Sequence, residues 1–254
     1  MEEVITLNYN NIDCEHICCS LSDKKGECGV YLKKEWLKER LNDGLIFNKI
    51  NVRGKAFIEY IPIENAWVPI EGNDYMFINC FWVSGKFKGK GYANRLLNEC
   101  IDNSKNKGKK GIIALSSKRK MPFLSDPEYL KYKGFKVCDT ADPYYELLYL
   151  PFSDEYNVPK FKNYAKRGRS DENGLIIYYS DQCPHTSKYV NLISKISKEK
   201  GIDIKVIKFQ TKEQAQNSPC PFTTYSLFYN GEFITNEILS ESKFNKFIIE
   251  KGII

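Results

Sequence analysis

Apolar and polar positions follow strand and helix periods in alternation up to about residue 150, and again from about residue 174. The segments 45–50 and 56–63 read as successive strands of a meander. Tyr75-Met76-Phe77-Ile78-Asn79-Cys80-Phe81-Trp82-Val83 reads as a long strand buried on both faces. Helical spacing then takes over. Tyr92, Leu96, Leu97, Cys100 and Ile101 share one stripe, and Gly108 and Gly111 bracket the exit into a strand over 112–116. Ser125-Asp126-Pro127-Glu128, with Gly134 after it, predicts a brief capped helix over 126–133. Residues 135–138 and 144–150 supply two closing strands.

The stretch 151–173 has no hydrophobic period and carries the basic, turn-rich runs Pro159-Lys160-Phe161-Lys162 and Lys166-Arg167-Gly168-Arg169-Ser170, so it reads as a linker. Beyond it, 175–179 is a strand, 184–200 a helix with Val190, Ile193 and Ile196 inward, and 202–209 an alternating strand. Asn230-Gly231 turns a hairpin between 225–229 and 232–235, and 240–250 closes as a helix. The expected organisation is α/β in two parts: residues 1–152, a linker over 153–173, and a smaller unit over 174–254. Its order, βαβ then ββα, is that of a thioredoxin-like fold.

Composition narrows the class. With 42% hydrophobic and 28% charged residues in 254, the chain is globular rather than disordered, and its length suits two domains. The longest apolar stretch falls short of the ~20 residues needed to span a bilayer, and the start Met1-Glu2-Glu3 is acidic, so no membrane association and a cytoplasmic location are expected. The net charge of +6 is too small for a dedicated nucleic-acid binder, and the basic run between Lys86 and Lys120 lacks interleaved aromatics. Nine cysteines without an export signal point to reduced thiols.

The surplus charge flanks a glycine loop, Val83-Ser84-Gly85-Lys86-Phe87-Lys88-Gly89-Lys90-Gly91-Tyr92-Ala93, set between the buried strand and the first turn of a helix. Backbone N–H groups and the positive helix end make such a loop a pyrophosphate site, and Gly89 and Gly91 remove the Cβ atoms that would block approach. The same glycines could equally make only a tight turn.

Lys88-x-x-Gly91-x-Ala93 after a Val-ending strand resembles the acetyl-coenzyme A loop of the GNAT superfamily of N-acetyltransferases, with Lys88 where that family has Gln or Arg. The strings Ile78-Asn79-Cys80, Trp82-Val83-Ser84-Gly85, Phe123-Leu124-Ser125-Asp126-Pro127 and Tyr132-Lys133-Gly134-Phe135 are similar to the YoaP-like acetyltransferases. So is a tail with Tyr178-Tyr179-Ser180, Cys183-Pro184 and Pro221-Phe222-Thr223-Thr224. In that group a GNAT domain carries a small thioredoxin-like domain. The resemblance implies a GNAT-like mixed sheet with helices on both faces. It also implies acetyl-CoA as cosubstrate and transfer of its acetyl group to a primary amine of a small molecule or peptide.

Under that resemblance Val83 and Ser84 offer a free backbone N–H to the acetyl carbonyl, and Lys86, Lys88 and Lys90 meet the phosphates. Gly89, Gly91, Tyr92 and Ala93 complete the loop. The family's usual acid, a Tyr four residues before the Gly-Phe pair, falls on Leu130, which leaves Tyr129 as the candidate acid. Glu59, a charge inside the apolar strand Ile58-Glu59-Tyr60, is the candidate base if it faces a cleft; otherwise it faces solvent. Asn79 interrupts its strand and could bind substrate or serve as a buried structural amide.

Cys14-Glu15-His16-Ile17-Cys18-Cys19 groups thiols with a histidine, but its spacing matches no familiar zinc site. No metal is expected. Cys14 and Cys18 read as small core residues on one helical face, and His16 as a further possible base. Cys183-Pro184-His185-Thr186 after a strand is half of a redox motif, with Thr186 where a dithiol enzyme has its second Cys. The alternative function is therefore a thiol-redox or thiol-binding protein using Cys183, alone or paired with Cys220.

Overall fold

The computed structural model describes residues 2–17, 19–153 and 157–254. In chain order the elements are β1 (Val4–Thr6), α1 (Gly29–Leu41), β2 (Ile46–Ile50), β3 (Ala56–Pro62), β4 (Ile70–Glu71), β5 (Tyr75–Val83), α2 (Tyr92–Asn106), β6 (Gly111–Ser117), α3 (Pro127–Tyr132), β7 (Lys136–Ala141) and β8 (Tyr145–Pro151). There follow β9 (Lys160–Phe161), β10 (Leu175–Tyr179), α4 (Thr186–Glu199), β11 (Ile204–Lys208), α5 (Lys212–Gln216), β12 (Tyr225–Tyr229), β13 (Glu232–Thr235) and α6 (Glu241–Glu250).

The first sheet has the order β1-β2-β3-β5-β6-β8-β7, and its β5–β6 pair is parallel while its other pairs are antiparallel. Alternation along β3 divides its side chains between two cores. Ile58 and Tyr60 meet Leu96, Leu97 and Cys100 of α2, whereas Phe57 and Ile61 join Trp36 and Leu37 of α1. A mixed sheet with helices on both faces is the GNAT-like arrangement expected for this half.

The second sheet, β11-β10-β12-β13, is also two-faced. Leu175 and Ile177 pack on Val190, Ile193 and Phe244 of α4 and α6. Ile176 and Tyr178, at the intervening positions, belong instead to the core that holds Trp36, Trp67, Tyr145 and Phe161. The apolar run of β10 therefore stitches the two halves together.

This corrects the reading of 151–173 as an exposed connector. Phe161 and Ala165 are fully buried, β9 pairs with β4 through Ile70 and Phe161, and the Asp142 N–H donates to the Lys166 carbonyl at 2.8 Å. The seam carries further polar links. Gln216 Nε2 donates to the Ala66 carbonyl at 2.9 Å, Asn236 Nδ2 to the Pro122 carbonyl at 3.1 Å, and Thr223 Oγ1 to the Trp67 carbonyl. At Gly29, the first residue of α1, an added Cβ would lie 1.9 Å from the Pro184 carbonyl oxygen, so the absence of a side chain permits that approach.

Among the described residues no helix is long and apolar enough to cross a membrane.

Candidate active site

The site begins where β5 leaves β6. Their pairing runs from Tyr75↔Gly111 to Ile78↔Ala114 and stops, while β5 stays on β3 as far as Val83↔Ala56. The register steps from Tyr60↔Ile78 to Glu59↔Cys80, which leaves Asn79 unmatched in a bulge. A bulge bends and twists its strand, so β5 turns away from β6 and opens a cleft.

Beyond the opening, β5 leads through the glycine loop into α2. Gly89 and Gly91 take positive φ values of 75° and 78°, and nothing lies within 4 Å of a Cβ built on either. Gly91 is the left-handed residue before α2, whose start has neither a side-chain cap nor an acid in its first turn. The N–H groups of that turn lack intrahelical partners and carry the positive end of the helix dipole, which suits a phosphate.

A cleft of about 850 Å³ joins these parts. Its walls include Val83, Lys88, Gly89, Gly91, Tyr92, Ala93 and Tyr129. Lys90 is exposed and Ser84 partly buried, and neither lines this cleft; Lys86 lies over the Phe87 ring. The N–H expected to be free at Ser84 is engaged, donating to the Lys55 carbonyl at 3.0 Å, because β3 and β5 stay paired to their ends. Antiparallel alternation turns the Val83 N–H to the opposite edge, toward the parted β6.

Tyr129 is placed by α3. The Asp126 carboxylate caps that helix, accepting from the N–H groups of Glu128 and Tyr129 at 3.2 and 3.3 Å. The Tyr129 ring meets Phe81 edge-on at 5.7 Å, and its hydroxyl donates to Asn94 Oδ1 at 3.1 Å. Burial pushes the phenol up to about 12, so it holds its proton at neutral pH. Leu130 is buried and Tyr132 is 82% exposed, away from the cleft.

A second pocket of about 290 Å³ lies against the first, sharing Phe81, Trp82, Pro122, Leu124 and Ser125 with it. Lys55, Phe57 and Glu59, at alternate positions, form its floor with Cys80 and Trp82. Its roof is the C-terminal unit: Gln182, Cys183, His185, Phe222 and Thr224. Sequence reasoning expects the C-terminal module to shape or recognise the acceptor but, of these residues, singles out only Cys183 as a candidate.

Glu59 lines this second pocket, and its setting corrects the reading that it faces solvent. It is 1% exposed and paired with Lys33, a buried lysine of α1; Nζ donates to Oε1 at 2.9 Å and lies 2.8 Å from Oε2. Asn79 Nδ2 donates to the same Oε1 at 3.0 Å, and the Lys33 ammonium stands 4.2 Å from the Trp36 ring centroid. Glu59 therefore faces the pocket rather than solvent, with its charge compensated by Lys33.

The cysteines fall differently from expectation. Cys183 precedes α4, which starts only at Thr186, and burial raises its thiol to about 11, so the helix start does not activate it. Its thiol neighbours in the pocket are Cys19 and Cys80. Cys220 is instead fully buried, with its Sγ 3.3 Å from the Tyr145 hydroxyl. Cys14 is exposed in a turn rather than on a helix, and Cys18 lies outside the described residues. His16 Nδ1 is 3.2 Å from Lys49 Nζ, and His16 lines neither pocket.

A parted parallel pair, a glycine loop and an uncapped helix start form a cleft suited to a phosphate-bearing ligand. The model of the Acetyltransferase (GNAT) family matches residues 14–123, and a YoaP-like model matches 203–246. The chain is 42% identical over 244 residues to the Bacillus subtilis (strain 168) protein named Uncharacterized N-acetyltransferase YoaP, covering 96% of this chain and 97% of that protein. The chain thus belongs to the GNAT family of N-acetyltransferases, for which acetyl-CoA is the acyl donor. Among solved structures, it is similar to the PaiA N-acetyltransferase of Thermoplasma acidophilum in complex with coenzyme A (17% identity, 60% of this chain and 99% of that chain, TM-score 0.42). It is also similar to a GNAT family acetyltransferase of Brucella melitensis in complex with acetyl-CoA (13%, 62% and 92%, 0.41).

Proposed function

We propose that this enzyme transfers the acetyl group of acetyl-CoA, bound in the larger cleft, to the primary amine of a small molecule held in the pocket roofed by the C-terminal unit. The observation that carries this reading is the shared wall: the two cavities meet at Phe81 and Trp82, where β5 has parted from β6. The residues present fit the donor. Gly89, Gly91, Tyr92 and Ala93 bring backbone N–H groups to the pyrophosphate, with Lys88 beside them. Val83 directs an N–H at the carbonyl oxygen as negative charge develops there. The Tyr129 hydroxyl supplies a proton to the departing thiolate.

The size of the second pocket favours a small acceptor, and its aromatic floor and roof favour one with an apolar body. A peptide amine would have to enter past Trp82 and Phe123, and is the less suited substrate.

We also assign the C-terminal unit a thioredoxin-like fold, on the strand order β11-β10-β12-β13 with β10 and β11 parallel. Its role is to shape the acceptor pocket. A raised Cys183 thiol, with Thr186 at the second position, speaks against dithiol exchange as the main activity.

The test is coenzyme A release from acetyl-CoA with a panel of small primary amines, alongside calorimetry of acetyl-CoA binding. Gly91→Glu places bulk and negative charge at the phosphate approach and should abolish both binding and transfer. A folded Gly91→Glu protein that binds acetyl-CoA normally would refute the assignment of the loop.

A further inference from the structure

The acceptor reaches the thioester as an ammonium and must lose a proton before or during attack. If the second pocket is the acceptor site, as proposed above, its lining contains the groups that could take that proton: Cys19, Lys55, Glu59, Cys80, Cys183 and His185. Most are unsuited. Glu59 is committed to Lys33. Lys55, exposed at the rim, brings a proton of its own rather than a lone pair. Hydrogen bonding to Cys80 and burial hold the Cys19 thiol protonated, and burial does the same to Cys183.

Cys80 and His185 remain; a thiol is a weak acceptor, whereas a neutral imidazole presents a lone pair, and the placement of His185 is built. It is the residue before α4, and the Pro184 beside it is clamped against Gly29. Its ring lines the pocket alongside Cys19, and a neutral imidazole keeps one of its two nitrogens as an acceptor.

We propose that His185, contributed by the C-terminal unit, is the base that takes the proton from the acceptor amine. The ammonium first gives one proton to the His185 ring, which releases it to solvent; the amine nitrogen then bonds to the acetyl carbon, the carbon–sulfur bond breaks, and the second N–H proton passes to the same ring. The coenzyme A thiolate takes up one proton, from solvent or from a Tyr129 that solvent reprotonates, and the imidazolium returns the second proton to solvent; of the two protons leaving nitrogen one is thus balanced at sulfur and one is released, without a further reactant.

The surroundings keep the ring ready for this. Burial first, then the Lys55 and Lys188 ammonium groups, lower its pKa from the usual 6.5; the Cys19 backbone and Glu27 oppose them. The ring is neutral at pH 7.

The experiment uses the full chain. The ring titration is followed by NMR without acetyl-CoA, and His185→Gln separates its signal from that of His16. Transfer to the amine panel is then measured from pH 5 to 9. The ring should titrate below 6.5, and the wild-type rate should rise with pH through that value. His185→Gln should lose about 100-fold or more in kcat together with that acid limb. It should keep its acetyl-CoA affinity and melting temperature, and added imidazole should restore part of the rate to His185→Gly. Transfer at the wild-type rate by His185→Gln, an acid limb unchanged in it, or a ring titrating above 7 overturns the assignment of His185 alone. A wild-type protein that binds acetyl-CoA yet acetylates no amine overturns the acceptor pocket, and this inference with it.

Discussion

Replacing Gly29 by alanine sets two effects against each other. Alanine is the better helix former, by about 1 kcal/mol in a helix interior and less at a first residue. Against this, the new Cβ would lie 1.9 Å from the Pro184 carbonyl oxygen and 2.9 Å from its carbon. Both are backbone atoms of the segment that carries Cys183 and His185, so no side chain can swing aside. The seam must open by about 1 Å or more to reach ordinary contact, and such overpacking costs about 1–3 kcal/mol. The clash outweighs the propensity, and the net loss is about 1–2 kcal/mol. In a chain of this length that lowers the melting temperature by roughly 2–8 °C. Because the displaced backbone roofs the second pocket, the KM for the acceptor should rise several-fold while acetyl-CoA affinity stays put. Urea unfolding and steady-state kinetics read both. An alanine variant as stable as wild type, with an unchanged acceptor KM, would show that the two halves do not meet as tightly as described.

Lys33→Met strands the buried Glu59 carboxylate and should cost about 3–5 kcal/mol; Lys33→Met with Glu59→Gln should recover part of it, and a double-mutant cycle in urea checks this. Tyr129→Phe should lower kcat about tenfold or more with little change in either KM, and an unaltered kcat would remove Tyr129 from proton donation. The pKa of both histidines lies below the usual 6.5, mainly through burial, so the unfolded chain takes up protons first on acidification. Stability should therefore be constant just above pH 7 and fall below about 6.5, less steeply in His185→Gln, as read from urea midpoints.

What the chain discloses by pattern alone follows from how locally each feature is encoded. The nine-residue strand β5 is legible to both ends because it is buried on two faces and so apolar throughout. The loop and the start of α2 are legible because left-handed backbone at Gly89 and Gly91 demands glycine. Helix α1 is hidden. Its buried face runs Val30, Lys33, Trp36, Leu37, and the lysine at its centre breaks the apolar stripe; the partner that makes it buriable, Glu59, sits on another element. The roof of the acceptor pocket is hidden for a related reason, since Gln182, His185 and Thr224 acquire meaning only against residues of the other half. One signal was present: Leu175 to Tyr179 is apolar at successive positions, so both faces of that strand need cover, and α4 and α6 supply only one.

The core that runs through Trp67, Tyr145, Phe161, Ile176 and Phe228 bears on the chain's history as well as its folding. Two modules joined by a tether can be inherited, exchanged or trimmed separately, each melting at its own temperature. Here neither half can be lost without exposing the aromatic surface of the other. The two should denature as one cooperative calorimetric event, and natural variants should change on both sides of the junction together, because the junction is part of the globule's interior.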